Sequence, residues 1–135
     1  MGLCLFNKDC NLLNFAGAKL DLLYFKDGEI NIVKANRQSI GYRRSKNDYE
    51  YTNHELHLDF SESFYLYTDG ITDQIGGDKN FPLGNKKFKE ILSTIQNIPI
   101  VEQEAIILDK LAIYQKDNSR RDDITVISFK VKKGV

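Results

Sequence analysis

Residues 63–73 read SFYLYTDGITD, and their first part decides the fold class. Ser63, Phe64, Tyr65, Leu66 and Tyr67 form a nearly unbroken apolar and aromatic run. A short run of this kind reads as a strand buried in a sheet, not one alternating at a surface. It ends abruptly at Asp69-Gly70, a dipeptide that favours a turn. A strand over residues 63–69 therefore delivers a carboxylate to the rim of a sheet, in a central position.

Toward the N-terminus the pattern is a meander of strands. Residues 3–7, a turn around 8–11, and residues 12–16 form the first pair, with Gly17 marking a bulge or a close backbone approach. Residues 20–26 follow, nearly continuous in apolar side chains from Leu22 to Phe25 and so buried on both faces. Asp27-Gly28 is a two-residue hairpin signal. It leads into residues 29–34, where Ile30 and Ile32 share one face and Asn31 and Val33 the other. Residues 54–60 alternate again, with Leu56, Leu58 and Phe60 on one side and His57 opposite.

Toward the C-terminus the period changes near residue 84. Residues 76–84, with Gly76-Gly77, Pro82 and Gly84, form a turn-rich loop. Phe88, Ile91, Leu92 and Ile95 then fall on one helical face. After Pro99, the positions Val101, Ala105, Leu108 and Ala112, joined by Ile107 and Leu111, make a broad stripe over residues 101–114. That stripe predicts a helix packed on a sheet. Residues 124–131 alternate as a closing strand. The chain is thus expected to be α+β, with mostly antiparallel sheet and two packed helices near the C-terminus.

Composition narrows the function. Nineteen Lys and Arg balance nineteen Asp and Glu in 135 residues, which fits one domain. Zero net charge lacks the basic excess of a general nucleic-acid binder. No apolar run reaches the roughly 18–20 residues of a membrane span, so membrane contact by this segment is not expected and a cytoplasmic location is. Cys4 and Cys10 form neither a CxxC pair nor a disulfide framework and read as reduced, partly buried thiols. His54 and His57 have no third ligand nearby, a poor metal site. One local charge cluster, with Lys34, Arg37, Arg43, Arg44 and Lys46, lies in or beside the polar stretch 35–53. It reads either as a solvated loop or as a basic flap for an acidic or phosphorylated partner.

Two acidic motifs carry the chemistry: Tyr67-Thr68-Asp69-Gly70-Ile71-Thr72-Asp73 and Arg120-Arg121-Asp122-Asp123-Ile124-Thr125. The first ends one apolar strand and the second opens another. If the two strands are antiparallel neighbours, Asp69 and Asp122 converge at one rim. Converging carboxylates repel unless one is protonated or a divalent cation neutralises both. Mg²⁺ and Mn²⁺ take oxygen ligands and keep several waters. By residue type alone, both motifs also fit ordinary turn chemistry.

FYLYTDGITDQIGG and RRDDITVISFKV together resemble two signatures of the metal-dependent (PPM-type) protein phosphatases. The likeness is to the bacterial branch typified by the stage II sporulation protein E phosphatase domain. LNFAGAKLDLLYFKDGEI, RQSIGYRRS, YTNHELHL and the helix from Gln103 to Tyr114 resemble further stretches, so the likeness covers essentially the whole chain. It implies a PPM-type β-sandwich. It also implies a binuclear Mn²⁺ or Mg²⁺ centre whose activated water attacks a phosphoserine or phosphothreonine directly. Carried over by position, Asp69 and Asp122 are metal ligands, with Asp123 beside them where the family has Asn or Asp. Gly70 lets the backbone turn tightly at the metal, and Thr68 and Thr125 support the ligands from behind. The implied partners are a regulatory phosphoprotein of the STAS (anti-sigma-factor antagonist) type, met in part by Arg37, Arg43 and Arg44, and a sensor domain upstream, with any membrane anchor there.

A Gly-Asp-x-x-Gly-His-Gly-like motif, which in the family supplies the bridging Asp, is absent: neither His54 nor His57 follows a glycine. Residues 1–135 are therefore expected to form one partial domain, lacking its N-terminal half, with an incomplete site and weak metal binding. The alternative expectation is a non-catalytic half-domain that acts through an open sheet as a protein-interaction or dimerisation module.

Overall fold

The computed structural model describes residues 1–134. Two compact units are present: Met1–Leu66 with the tail from Phe129, and Tyr67–Ser128.

In the first unit, β1 (Gly2–Asn7), β2 (Leu12–Gly17) and β5 (His54–His57) form an antiparallel sheet in the order β1-β2-β5. In a second sheet, β3 (Leu22–Lys26) pairs with both β4 (Glu29–Val33) and β6 (Ser63–Tyr67). The Asp27-Gly28 turn joins β3 to β4, as its sequence predicts. Period-two alternation sends Leu13 and Phe15 of β2 inward, where they meet Leu22, Leu58, Phe64 and Leu66 in one apolar cluster. Strands from both sheets contribute to it, so the unit is a sandwich closed by their inner faces. Phe64, fully buried, also packs on Tyr24 at 5.6 Å between ring centroids and stacks on Phe129 at 5.0 Å. Gly17 marks a close approach: a Cβ there would stand 2.6 Å from the Leu20 carbonyl oxygen.

The stretch 35–53 contains no regular strand or helix, yet its base is tied down. Asn36 donates its backbone N–H to the Gly17 carbonyl at 2.9 Å and accepts from the Lys19 N–H at 2.8 Å. Its side chain accepts from the Thr52 N–H and donates to the hydroxyls of Tyr49 and Thr52. Asp21 accepts from the Ala35 N–H at 2.9 Å and from Lys34 Nζ at 2.8 Å. Partial burial pushes the Asp21 carboxyl up, but the bonds from Lys34 and Ala35 and the charges of Lys34 and Arg37 outweigh it and hold it below its ordinary value.

The second unit begins where β6 ends. It holds α1 (Asp69–Thr72), the short pair β7 (Ile75–Gly76) and β8 (Phe81–Pro82), α2 (Gly84–Ile95), α3 (Ile100–Gln115) and most of β9 (Val126–Phe129). Phe88, Leu92 and Ile95 form the buried stripe of α2. Gln103, also fully buried, donates its side-chain amide to the Ile95 and Ile98 carbonyls and so fastens α3 to the end of α2. No helix is long and apolar enough to cross a membrane among the described residues.

Several expectations are corrected. The strand 63–69 stops at Tyr67, and Asp69 instead opens a helical turn, its carbonyl accepting from the Asp73 N–H and the Thr72 hydroxyl. The strand 20–26 starts at Leu22, because Asp21 is engaged with Ala35 and Lys34. The strand 54–60 stops at His57; Asp59 caps a turn onto Ser61, and Phe60 takes φ 72°. The strand 124–131 shortens to β9. The turn-rich loop 76–84 contains the β7–β8 pair. Along α3 the buried positions are Gln103, Ile107 and Leu111, whereas Val101 (87 % exposed) and Leu108 (52 %) of the expected stripe face out. Cys10 is exposed and only Cys4 is partly buried, which pushes its thiol pKa up.

Phe64→Ala is expected to cost about 3–5 kcal/mol by chemical denaturation, as a large aromatic lost from a filled core. The depressed Asp21 carboxyl contributes to anchoring the 35–53 stretch above its unfolded pKa of about 3.9, and that contribution is lost as pH falls through the lower folded value. Amide exchange in this stretch is expected to rise below about pH 4 and, in Asp21→Asn, already at neutral pH; equal protection in wild type and variant would contradict this.

Candidate metal centre

The second unit brings the two acidic motifs together through Thr68. Its backbone N–H donates to the Thr125 carbonyl at 3.0 Å, and the Thr125 N–H donates back to the Thr68 hydroxyl at 3.0 Å. These bonds join the segment leaving β6 to the segment entering β9. The Thr68 hydroxyl also reaches the Asp123 carbonyl at 3.4 Å. One residue on, Gly70 is buried directly against that carbonyl: a Cβ there would collide with the Asp123 oxygen. The glycine is required by close approach.

Asp69 follows Thr68 at the first position of α1, and its side chain is exposed. Asp122 and Asp123 lie on the connection into β9, both exposed. The Asp123 N–H donates to Asp122 Oδ1 at 2.7 Å, which orients that carboxylate. Thr68, Asp69, Gly70, Asp122, Asp123 and Thr125 thus stand on two segments bonded to each other. Among the described residues no group of three or more His, Cys, Asp or Glu side chains is arranged to hold a metal ion. The donors on this rim are carboxylate oxygens. They fit a hard cation held through one or two protein carboxylates, with waters completing its shell.

The basic residues belong to the first unit. Arg37 lies 3.8 Å from Asp21 and is 71 % exposed along its side chain, and Arg43 and Arg44 are exposed near the tip of the tethered stretch. His54 stacks on Phe15 at 6.4 Å between centroids. Gln74, directly after the first acidic motif, escapes a reading by residue type. It is fully buried and donates Nε2 to the Ile75 and Ser119 carbonyls at 3.1 Å each. An amide among apolar neighbours gives no local signal of where its partners lie.

The model of the family described as Stage II sporulation protein E (SpoIIE) matches residues 2–132. Among solved structures, the SiaA-PP2C domain of Pseudomonas aeruginosa is 36% identical with a TM-score of 0.85, the match covering 97% of this chain and 51% of that one. The phosphatase domain of the cell fate determinant SpoIIE from Bacillus subtilis (Mn presoaked) is 12% identical with a TM-score of 0.68, over 100% and 57%. The catalytic domain of the serine/threonine protein phosphatase PstP, in complex with two manganese ions, is 19% identical with a TM-score of 0.59, over 96% and 57%. At their identities the last two establish the fold. The chain spans about half the length of the solved domains it matches. No curated protein matches it.

Gly70→Ala must push the Asp123 carbonyl away and so part the two segments. Mn²⁺ binding, read by loss of the free-ion electron paramagnetic resonance signal, is expected to weaken at least tenfold, about the size of effect known when groups supporting metal ligands are altered. Unchanged binding would show that the contact does not shape the rim.

Proposed function

Because this chain belongs to the SpoIIE family of PPM-type phosphatases, we propose that it carries part of the metal centre of a phosphoserine/phosphothreonine protein phosphatase. In this reading Asp69 and Asp122 are metal ligands and Asp123 is an auxiliary one. The observation in its support is the Thr68–Thr125 bonding, which brings Asp69 and Asp122 to adjoining backbone segments. A divalent ion, Mn²⁺ or Mg²⁺, supplies positive charge and an acidified water for attack on phosphorus. The residues do the rest. The Asp123 N–H holds one oxygen of Asp122, Gly70 admits the Asp123 carbonyl, and Thr68 and Thr125 keep the two segments in register. A binuclear centre needs ligands beyond these carboxylates, so a single weakly held ion is the expectation for this chain by itself.

The substrate class is a regulatory phosphoprotein of the STAS type, with Arg37, Arg43 and Arg44 meeting its acidic or phosphorylated surface. These guanidinium groups are exposed and suited to bidentate contact with phosphate or carboxylate. Their stretch is anchored at its base, so ordering it costs less on binding. An upstream sensor domain and a cytoplasmic setting belong to the same reading.

A second reading, a dimerisation module, has one observation in its favour. An apolar groove of about 510 Å³ in the second unit is lined by Val101, Ile107, Leu108, Ile124 and Ile127 among others. In this reading its occupant is a second copy of this chain. Sedimentation over a hundredfold range of concentration tests it: a monomer throughout rejects it.

Within a complete phosphatase domain that contains this segment, phosphate release from a phosphoserine peptide is expected to fall to background in Asp69→Asn and in Asp122→Asn, and Mn²⁺ uptake by this chain is expected to fall likewise. A chelator should abolish release in the wild type. Mn²⁺ uptake that survives both substitutions would reject these ligands. Release that persists in the chelator would reject the metal-dependent reaction.

A further inference from the structure

Gln74 is buried completely, yet its Oε1 has no hydrogen-bond partner. A buried acceptor without a partner is destabilising, because it gives up its hydrogen bonds to water and gains none. A methionine or leucine would fill similar space without that cost, so packing does not account for a glutamine here. Its amide orientation is set by chemistry: both near atoms, the carbonyl oxygens of Ile75 and Ser119, are acceptors, and only Nε2 can face them. What distinguishes this residue from an apolar one is its pair of N–H donors.

One donor stays local, at Ile75. The other crosses to Ser119, 45 residues away in sequence. Ser119 begins the arch 119–125 that carries Asp122 and Asp123, and Thr125 ends it. Thr125 is held by Thr68, which precedes Asp69. Ser119 is held by Gln74, which follows Asp73. Both feet of the arch are therefore bonded to the two ends of one segment, the segment that bears Asp69. Asn118, just before the arch, is held by Gln115 and Asn80, which lie on α3 and in the β7–β8 turn. Those bonds do not refer the arch to Asp69.

We propose that Gln74 is a positioning residue for Asp122: its bond to the Ser119 carbonyl fixes the first foot of the arch and so sets where the Asp122 carboxylate stands relative to Asp69. The inference rests on the metal-centre reading for its consequence, but the bond it assigns holds the arch with or without metal. With the foot released, residues 119–122 swing about the point where the Asp123 carbonyl rests on Gly70 and the Thr68 hydroxyl. The two carboxylates then no longer meet a cation at fixed separation, and affinity falls while the fold remains.

The test compares the wild-type chain with Gln74→Met, which keeps the length of the side chain and removes the donors. Amide exchange over residues 119–125, measured without metal, is expected to rise in the variant while exchange in α2 and α3 stays unchanged. Mn²⁺ affinity, read from the free-ion resonance signal, is expected to fall about tenfold or more. Raised exchange throughout the unit would assign Gln74 a general packing role and overturn the proposal, as would unchanged exchange in the arch. Raised arch exchange with unchanged Mn²⁺ affinity would overturn the positioning of Asp122. A wild-type chain that takes up no Mn²⁺ would defeat the metal reading, and with it the metal role of Gln74, while the exchange measurement still decides the bond itself. Should Gln74→Met fail to fold, the Gln74 side-chain amide protons are followed by NMR in the wild type during Mg²⁺ titration. A shift with the same midpoint as those of Asp122 and Asp123 supports the proposal, and no shift overturns it.

Discussion

The reciprocal bonding of Thr68 and Thr125 is the constraint on which the second unit's chemistry depends. The two residues are 57 positions apart, and each gives its backbone N–H to the other. Thr68 adds a hydroxyl that accepts as well as donates, so its side chain extends a backbone ladder where β6 has already ended. A valine of the same shape would keep the β-branched stiffness and lose the acceptor. The Asp123 carbonyl is then drawn against Gly70, where no other residue leaves room. Asp69 and Asp122 come to adjoining segments as a result of this bonding, not through any attraction between them.

That arrangement holds two acidic segments side by side through the backbone. Backbone hydrogen bonds and a steric fit position the chain, and the exposed carboxylates remain in water, where their repulsion is weak. The Asp123 N–H stabilises the Asp122 carboxylate further.

Two buried glutamines serve the second unit in the same manner. Gln103 joins α3 to the end of α2, and Gln74 joins the segment after α1 to the arch before β9. In both, an amide reaches carbonyls in or beside the connections between regular elements. Asp21 and Asn36 do comparable work in the first unit, closing the base of a stretch that has neither helix nor strand. Polar side chains buried or half-buried at such junctions hold irregular segments that apolar packing alone would leave loose.

The architecture was legible in the sequence wherever it depended on neighbours along the chain. Alternation marked β4 and β5, nearly continuous apolar runs marked β3 and β6, Asp27-Gly28 marked its hairpin, and helical spacing marked α2. The motifs around Asp69 and Asp122 carried the family resemblance, and the match to the SpoIIE family bears it out. On α3 periodicity was right in part: Ile107 and Leu111 of the expected stripe are buried together with Gln103, whereas Val101, Ala105, Leu108 and Ala112 face out. It failed at strand ends, because Asp21, Asp69 and Thr125 are claimed by partners outside their own strands. Local spacing and turn chemistry determined which elements form. The tertiary structure alone decided which strand ends adjoin, which side of α3 is buried and what Gln74 holds, because hydrogen bonds between segments tens of residues apart leave no periodic trace in the sequence.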